Sequence, residues 1–91
     1  MLIDTFMEKG KVFLNCHYPI MCGAMTWVSD PKLVTAVGKA GGFGLLAGGN
    51  APVEVLKDQI LQTRDLSDHS FGVNLITLAP VYRDQLEMVS M

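Results

Sequence analysis

Three apolar runs, each followed by a segment of helical periodicity, dominate the hydrophobic pattern of the chain. The runs cover residues 18–22, 43–47 and 71–78, and they are apolar almost throughout, as strands covered on both faces should be. Their centres recur at intervals of roughly 25 to 30 residues, which is the length of one βαβ step. The pattern therefore predicts a parallel α/β fold in which strand and helix alternate three times. Residues 1–15 are less regular and predict only a short helical turn and a connector.

Capping residues mark where the predicted helices begin and end. Ser29 and Asp30 are N-cap residues before Pro31, which suits the first helical position. Gly41-Gly42 then provides a C-terminal stop. The positions expected to face the core are, in the first helix, Leu33, Val34, Val37 and Ala40; in the second, which opens near Pro52, Val53, Leu56, Ile60 and Leu61; and in the third, over residues 82–91, Leu86 and Val89.

Composition and charge narrow the class of protein. The 91 residues are 49% hydrophobic, which is high for so small a domain and predicts a surface that more chain or a partner covers. The net charge is −2 and the seven basic residues are scattered, so we expect no nucleic-acid partner. No apolar run approaches the roughly 20 residues of a membrane helix, and Asp4 and Glu8 break up the N-terminus where a signal peptide needs an apolar core. We expect a cytoplasmic protein that does not bind membranes.

The side chains that commonly carry catalysis or bind metals form no recognisable constellation. Cys16 and Cys22 match neither a zinc-ligand spacing nor a C-x-x-C redox pair, so we expect two free thiols. His17 and His69 have no acid or nucleophile at a recognisable spacing. Acidic residues are equally dispersed, and no metal site is expected.

Glycines directly after two of the predicted strands are the most informative feature. Gly23-Ala24 follows the first run and Gly48-Gly49 follows the second. Sheets and barrels of parallel strands bind ligands at the carboxyl ends of those strands. Small residues there let a flat or anionic ligand approach backbone N–H groups closely. The alternative is that these glycines only form tight turns between strand and helix, and both interpretations stay open here.

Asn74 is the second informative residue, because it stands in the middle of an otherwise apolar run. A buried amide without a partner costs a few kcal/mol, so something must hydrogen-bond it. The partner is either a neighbouring strand or a polar ligand, to which the amide offers both a donor and an acceptor. Met25 and Trp27, just past Gly23, could form one wall of a pocket for a flat ligand, and packing against the first predicted helix is an alternative for Trp27.

As a set, these segments resemble the nitronate monooxygenase family, also called 2-nitropropane dioxygenase-like, which includes the flavin-dependent enoyl-acyl-carrier-protein reductases. The resemblance covers roughly residues 18–90 without large gaps and rests on YPI at 18–20, GAMTWVS at 23–29, AGGFG at 40–44, GGNAP at 48–52 and FGVNL at 71–75. The GGNAP stretch is more similar to the enoyl reductase branch. Ala24 stands where glycine or proline is commoner in the family.

The resemblance implies that residues 1–91 are the N-terminal portion of a single FMN-binding TIM-barrel domain. A complete (β/α)8 barrel has about 250 residues and eight parallel strands, so the chain would supply the first three βα units of an incomplete barrel. In the family, the segment matching Gly23, Ala24 and Met25 lines the flavin with its backbone, and the asparagine matching Asn74 hydrogen-bonds it. The family's catalytic histidine would lie beyond Met91, so the catalytic residue of this chain is unknown.

The activity that the resemblance implies is FMN-dependent oxidation or reduction through the flavin N5. The substrate would be either a small nitronate oxidised with oxygen or an acyl thioester reduced with NAD(P)H as electron donor. Two alternatives remain: a catalytically inactive, truncated fragment that self-associates through its open sheet edge, or a small α/β binding module unrelated to flavins.

Overall fold

The computed structural model describes residues 2–90, apart from the side chain of Ile3. The helices and strands, in chain order, are α1 (Leu2–Leu14), β1 (Met21–Cys22), α2 (Pro31–Lys39), β2 (Phe43–Ala47), α3 (Val53–Leu66), β3 (Gly72–Asn74) and α4 (Tyr82–Ser90). The predicted alternation of strand and helix is confirmed, while the predicted end of the last helix at Met91 lies outside the described residues. No helix within residues 2–90 is long and apolar enough to cross a membrane.

The N-terminal segment differs from its prediction, because α1 is a helix of 13 residues rather than a short turn and a connector. Gly10 caused the error, since a glycine inside a helix costs about 1 kcal/mol relative to alanine and weakens the helical pattern. The structure explains the glycine by packing: a Cβ at this position would lie 2.7 Å from Cβ of Pro19. The close approach of Pro19 thus explains why a glycine, rather than a larger residue, stands at this position of α1.

The boundaries of α2 follow from its capping residues, as predicted. Asp30 is the N-cap, with extended backbone and a carboxylate that accepts a 2.9 Å hydrogen bond from the backbone N–H of Leu33. Pro31 occupies the first turn, where its missing N–H is not needed. Past the end of the helix, Gly41 has φ +99°, a left-handed conformation that glycine adopts without a steric penalty.

The three strands form one parallel sheet in the order β1-β2-β3. In β2, every second residue points towards the helices: a Cβ on Gly44 would lie 3.0 Å from Cα of Val34 in α2. Leu46, on the same side, is completely buried in a cluster with Val34, Leu56 and Ile60. One face of the sheet is therefore held against α2 and α3.

The opposite face of the sheet is only half-buried or exposed along its length, and we call it the open face. Met21 pairs with Phe43, and Ala47 pairs with Asn74, so the side chains of each pair lie on the same side. The strands were predicted to be covered on both faces because they are apolar on both. Within residues 2–90, Met21 of the open face nevertheless leaves 52% of its surface accessible to solvent.

The buried stripes of all three predicted helices differ in part from the prediction. In α2, Ala40 was expected to face the core but is exposed. In α3, Leu56 and Ile60 are buried as predicted, but Leu61 is exposed and Thr63 is buried instead. In α4, the predicted core residues Leu86 and Val89 are exposed, and the buried residue is Gln85. The apolar pattern failed in α4 because that helix packs a polar side chain against the loop after β2, which supplies hydrogen-bond acceptors.

Replacing the N-cap of α2 is expected to destabilise the fold. Asp30→Ala removes the carboxylate that accepts from Leu33, and the loss should be about 1 kcal/mol in the free energy of unfolding, measured by urea titration. The matched control is Asp65→Ala, because Asp65 lies in the last turn of α3, where a negative charge opposes the helix dipole. Equal destabilisation by the two variants would contradict the capping role.

Candidate functional site

The carboxyl ends of the three parallel strands bring all four predicted site residues to one edge of the sheet. Gly23, Ala24 and Met25 follow directly after β1, and Asn74 is the last residue of β3. Between them, β2 ends at Ala47 and continues into Gly48. Because the strands are parallel and adjacent, the glycine segment and the asparagine lie at the same edge, which we call the carboxyl edge.

The loop at residues 23–29 is held in place by the side chain of Ser29. Its hydroxyl donates to the backbone oxygen of Gly23 at 3.2 Å and accepts from the backbone N–H of Met25 at 2.8 Å. The Ser29 residue is buried, and its own carbonyl accepts from the N–H of Ala47. The sequence predicts only a capping role for Ser29. The contact that fixes the loop was missed, because it depends on how the loop folds back on itself.

Gly48 and Gly49 are explained by the backbone alone. The N–H of Gly48 donates to the carbonyl oxygen of Asn74 at 2.8 Å, and a Cβ on Gly48 would lie 2.5 Å from that same oxygen. Gly49 has φ +46°, in the left-handed region. Of the two interpretations that the sequence left open, the tight turn therefore accounts for both of these glycines.

Gly23 is different, because nothing in the fold requires a glycine there. A Cβ on Gly23 would have no atom within 4 Å, and its φ is not in the left-handed region. A turn does not explain this residue, and neither does close packing. What remains is open space at the carboxyl edge, beside backbone that a ligand could approach.

Asn74 is exposed at the end of β3, so the prediction of a buried amide in mid-strand was wrong. The apolar run continues through residues 75–78, but the strand has already ended. Residues 76–79 form a turn that is closed by the hydrogen bond from Ala79 N–H to Ile76 O. The backbone carbonyl of Asn74 is occupied by Gly48, whereas its side-chain amide makes no hydrogen bond to the described residues. The amide is thus available at the carboxyl edge.

The loop at residues 23–29 also carries two large exposed side chains. Trp27 is 99% exposed, so the alternative in which it packs against α2 was wrong. Its φ of +69° is rare for a residue with a side chain and costs about 1–3 kcal/mol. Hydrogen bonds from Val28 and Ser29 to the carbonyl of Met25 close the turn around it. Met25 is also exposed, at the same edge as Gly23.

Of the remaining reactive groups, Cys16, His17 and His69 line one pocket at the end of α1, whereas Cys22 lies in β1. Cys16 and Cys22 are free, half-buried thiols, as predicted. His17 stacks edge-on against Tyr18, with ring centres 4.4 Å apart. Across residues 2–90, no group of three or more His, Cys, Asp or Glu is placed to hold a metal ion.

A cavity of about 840 Å³ opens elsewhere, between the ends of α3 and α4. Its walls include Arg64, His69, Phe71 and Met88. Phe71 directly precedes β3, so this cavity lies at the amino end of that strand. The candidate site at the carboxyl edge is therefore a separate feature, defined by the ends of the strands.

Comparison with known proteins assigns the chain to a family. Residues 8–90 match the sequence profile of the family described as nitronate monooxygenase. The chain belongs to the nitronate monooxygenase family.

Two curated relatives illustrate the range of the family. A 5-hydroxy-7a-methyl-1-oxo-octahydro-1H-indene-4-carboxyl-CoA dehydrogenase of Rhodococcus jostii is 38% identical over 73 residues, which are 80% of this chain and 21% of that protein. A probable nitronate monooxygenase of Staphylococcus aureus is 39% identical over 62 residues, which are 68% of this chain and 18% of that protein. The chain thus spans about a fifth of the length of these relatives.

Among solved structures, FabK from Thermotoga maritima superimposes with a TM-score of 0.85 at 32% sequence identity. The match covers 88% of this chain and 26% of FabK. Together with the parallel sheet, it confirms the predicted fold, which is the first three βα units of a TIM barrel.

Gly48, which the fold requires, and Gly23, which it does not, should respond differently to substitution by alanine. Gly48→Ala forces a Cβ against the carbonyl of Asn74 and should lower the free energy of unfolding by about 1–3 kcal/mol. Gly23→Ala meets no atom and should leave stability unchanged or raise it by about 0.4–1 kcal/mol. Thermal unfolding of both variants checks this. Equal losses at the two positions would show that Gly23 is also required by the fold.

Proposed function

We propose that the chain provides part of the FMN site of an oxidoreductase of the nitronate monooxygenase family. The proposal rests on two residues that lie at the same carboxyl edge. Gly23 is a glycine that the fold does not require, and the side-chain amide of Asn74 has no hydrogen-bond partner within residues 2–90. Family membership supports it, because the family resemblance implies a flavin at this edge.

The residues at the carboxyl edge suit a planar cofactor with a polar rim. The missing side chain at Gly23 lets a ring approach the backbone, and the small Ala24 beside it adds little bulk. The Asn74 amide can donate and accept towards the polar atoms of a flavin. Met25 offers an exposed, polarisable apolar surface for contact with the ring.

In this proposal the chain binds and orients the cofactor, while the cofactor carries the redox chemistry. Bound FMN would supply hydride or electron transfer between the substrate and a second reactant. The hydrogen bonds of Ser29 fix the backbone of the loop, so that Gly23 and Met25 are already positioned before a ligand arrives. Such preorganisation reduces the entropy lost on binding.

The substrate we propose is either a small nitronate or an acyl thioester. One similar protein is named a nitronate monooxygenase, and another is named a dehydrogenase of a carboxyl-CoA compound. Oxygen uptake with an alkyl nitronate would support the first substrate. Oxidation of NAD(P)H that depends on an enoyl thioester would support the second.

The proposal predicts that the purified chain binds FMN. Titration followed by flavin fluorescence and visible absorption should show saturable binding. Asn74→Ala should weaken the affinity about five- to tenfold, because one hydrogen bond contributes about 1 kcal/mol and 1.4 kcal/mol corresponds to a factor of ten.

The matched control is Asn15→Gly. It removes an amide that donates to Ser70 at 2.9 Å, and glycine tolerates the φ of +53° at that position. This variant should bind FMN like the parent. An Asn74→Ala variant that keeps the parent affinity would contradict the proposed role of the amide and favour a binding module unrelated to flavins. A chain that binds no FMN would overturn the proposal as a whole.

A second candidate function, self-association, is favoured by the open face. Met21 and Ile76 are exposed, and β1 and β3 are the two edge strands of the sheet. Edge strands present unpaired backbone groups that can pair with another chain.

Self-association predicts a concentration-dependent dimer in sedimentation velocity. Met21→Lys places a charge on the open face and should shift the chain towards monomer. The matched control is Val55→Lys, since Val55 is an exposed residue of α3, away from the sheet edges, and its substitution should leave the distribution unchanged. A monomer at all concentrations would exclude this function.

A further inference from the structure

Gln85 of α4 occupies the most buried polar position of the described chain. Its side chain is fully buried, with 0% of its surface exposed. The Nε2 group donates to the backbone oxygen of Ala51 at 2.9 Å, of Gly48 at 3.3 Å and of Gly49 at 3.5 Å. One amide thus faces three carbonyls of the loop that follows β2, which we call the 48–51 loop.

The orientation of the Gln85 amide follows from its surroundings. If the group were rotated by 180°, its oxygen would face three carbonyl oxygens, and none of the four could donate a hydrogen bond. The donor must therefore point at the loop. A leucine or methionine of similar size would fill the space but would leave these buried acceptors without a partner.

The contact with Gln85 also determines where the N–H groups of the loop point. The described peptide bonds are all trans, so each N–H is directed opposite to the C=O of the same peptide unit. Since the oxygens of Gly48 and Gly49 face Gln85, the N–H groups of Gly49 and Asn50 are directed away from α4. Within residues 2–90, neither N–H donates to another backbone group.

We infer that Gln85 is a positioning residue, which orients the 48–51 loop so that its N–H groups are presented at the carboxyl edge. The inference rests on the proposed function, because the ligand served by these N–H groups would be the polar part of the bound FMN. Gln85 itself is fully buried, and it acts through the loop backbone. Its hydrogen bonds connect two segments 34 to 37 residues apart in the chain.

The contact can be tested in the parent chain without any substitution. The carboxamide protons of Gln85 should exchange with solvent at least about tenfold more slowly than those of Gln62, measured by amide NMR. Gln62 is the internal reference because its amide is exposed and bonded only within α3, to Asp58. Exchange of Gln85 as fast as that of Gln62 would overturn the inference.

Two substitutions test what the contact does to the loop. Gln85→Met keeps the volume without a donor, and Gln85→Glu replaces the donor with an oxygen that the carbonyls repel. Both should increase hydrogen exchange about tenfold or more at the N–H groups of Gly48 and Ala51, which are otherwise protected by bonds to Asn74 and Gly48. The N–H of Val34 in α2, which is bonded to the carbonyl of the N-cap residue Asp30, reports on the rest of the fold.

Ile60→Val is the matched control, because it trims the buried cluster at a side chain that has no polar atom to hydrogen-bond the loop. It should change exchange at Gly48, Ala51 and Val34 alike, whereas the Gln85 variants should act on the loop selectively. If the Gln85 variants changed hydrogen exchange equally at all three N–H groups, Gln85 would act only as a core residue, and its positioning role would be overturned. If neither Gln85 variant folds, the exchange rate of the Gln85 carboxamide protons in the parent chain decides whether the contact exists.

The FMN affinity of the same variants separates this inference from the proposed function. Gln85→Met should bind FMN about fivefold or more weakly than Ile60→Val. Selective loosening of the loop with unchanged FMN affinity would refute the role of the loop in binding. A parent that binds no FMN would refute the proposed function, while the exchange measurements would still test the contact between Gln85 and the loop.

Discussion

The carboxyl edge depends on one close approach, between the end of β2 and the end of β3 at Gly48. The N–H of Gly48 donates to the carbonyl of Asn74, and the space between the two backbones has no room for a Cβ. This contact continues the parallel pairing of β2 and β3 beyond Ala47. The backbone carbonyl of Asn74 is occupied in this contact, and its side chain is exposed at the end of the strand.

The 48–51 loop is held from two sides as a result. The strand ends hold it at Gly48, and Gln85 holds it from the helix layer through three carbonyl oxygens. On the other side of β2, the hydroxyl of Ser29 performs a similar task for the loop after β1, joining Gly23 and Met25. Both loops at the carboxyl edge are thus shaped by buried polar side chains.

The two faces of the sheet differ in a way that agrees with membership of a barrel family. The face towards α2 and α3 contains Leu46 and the core cluster, and it resembles the outer layer of a TIM barrel, where helices cover the strands. The open face corresponds to the barrel interior, which in a complete barrel is filled by side chains from all eight strands. With three strands described, Met21 and its neighbours on this face remain accessible.

The sequence by itself determined the features that depend on neighbouring residues. Asp30 and Pro31 fixed the start of α2, the apolar run at 43–47 fixed β2, and the glycines after the strands indicated the carboxyl edge. Only the tertiary structure decided the features that depend on residues far apart in the chain. Gly10 leaves the space in which Pro19 packs against α1, and Gln85 is buried where it reaches carbonyls 34 to 37 residues away. Periodicity describes which face of a helix is apolar, but it does not show that a loop elsewhere supplies hydrogen-bond acceptors to that face.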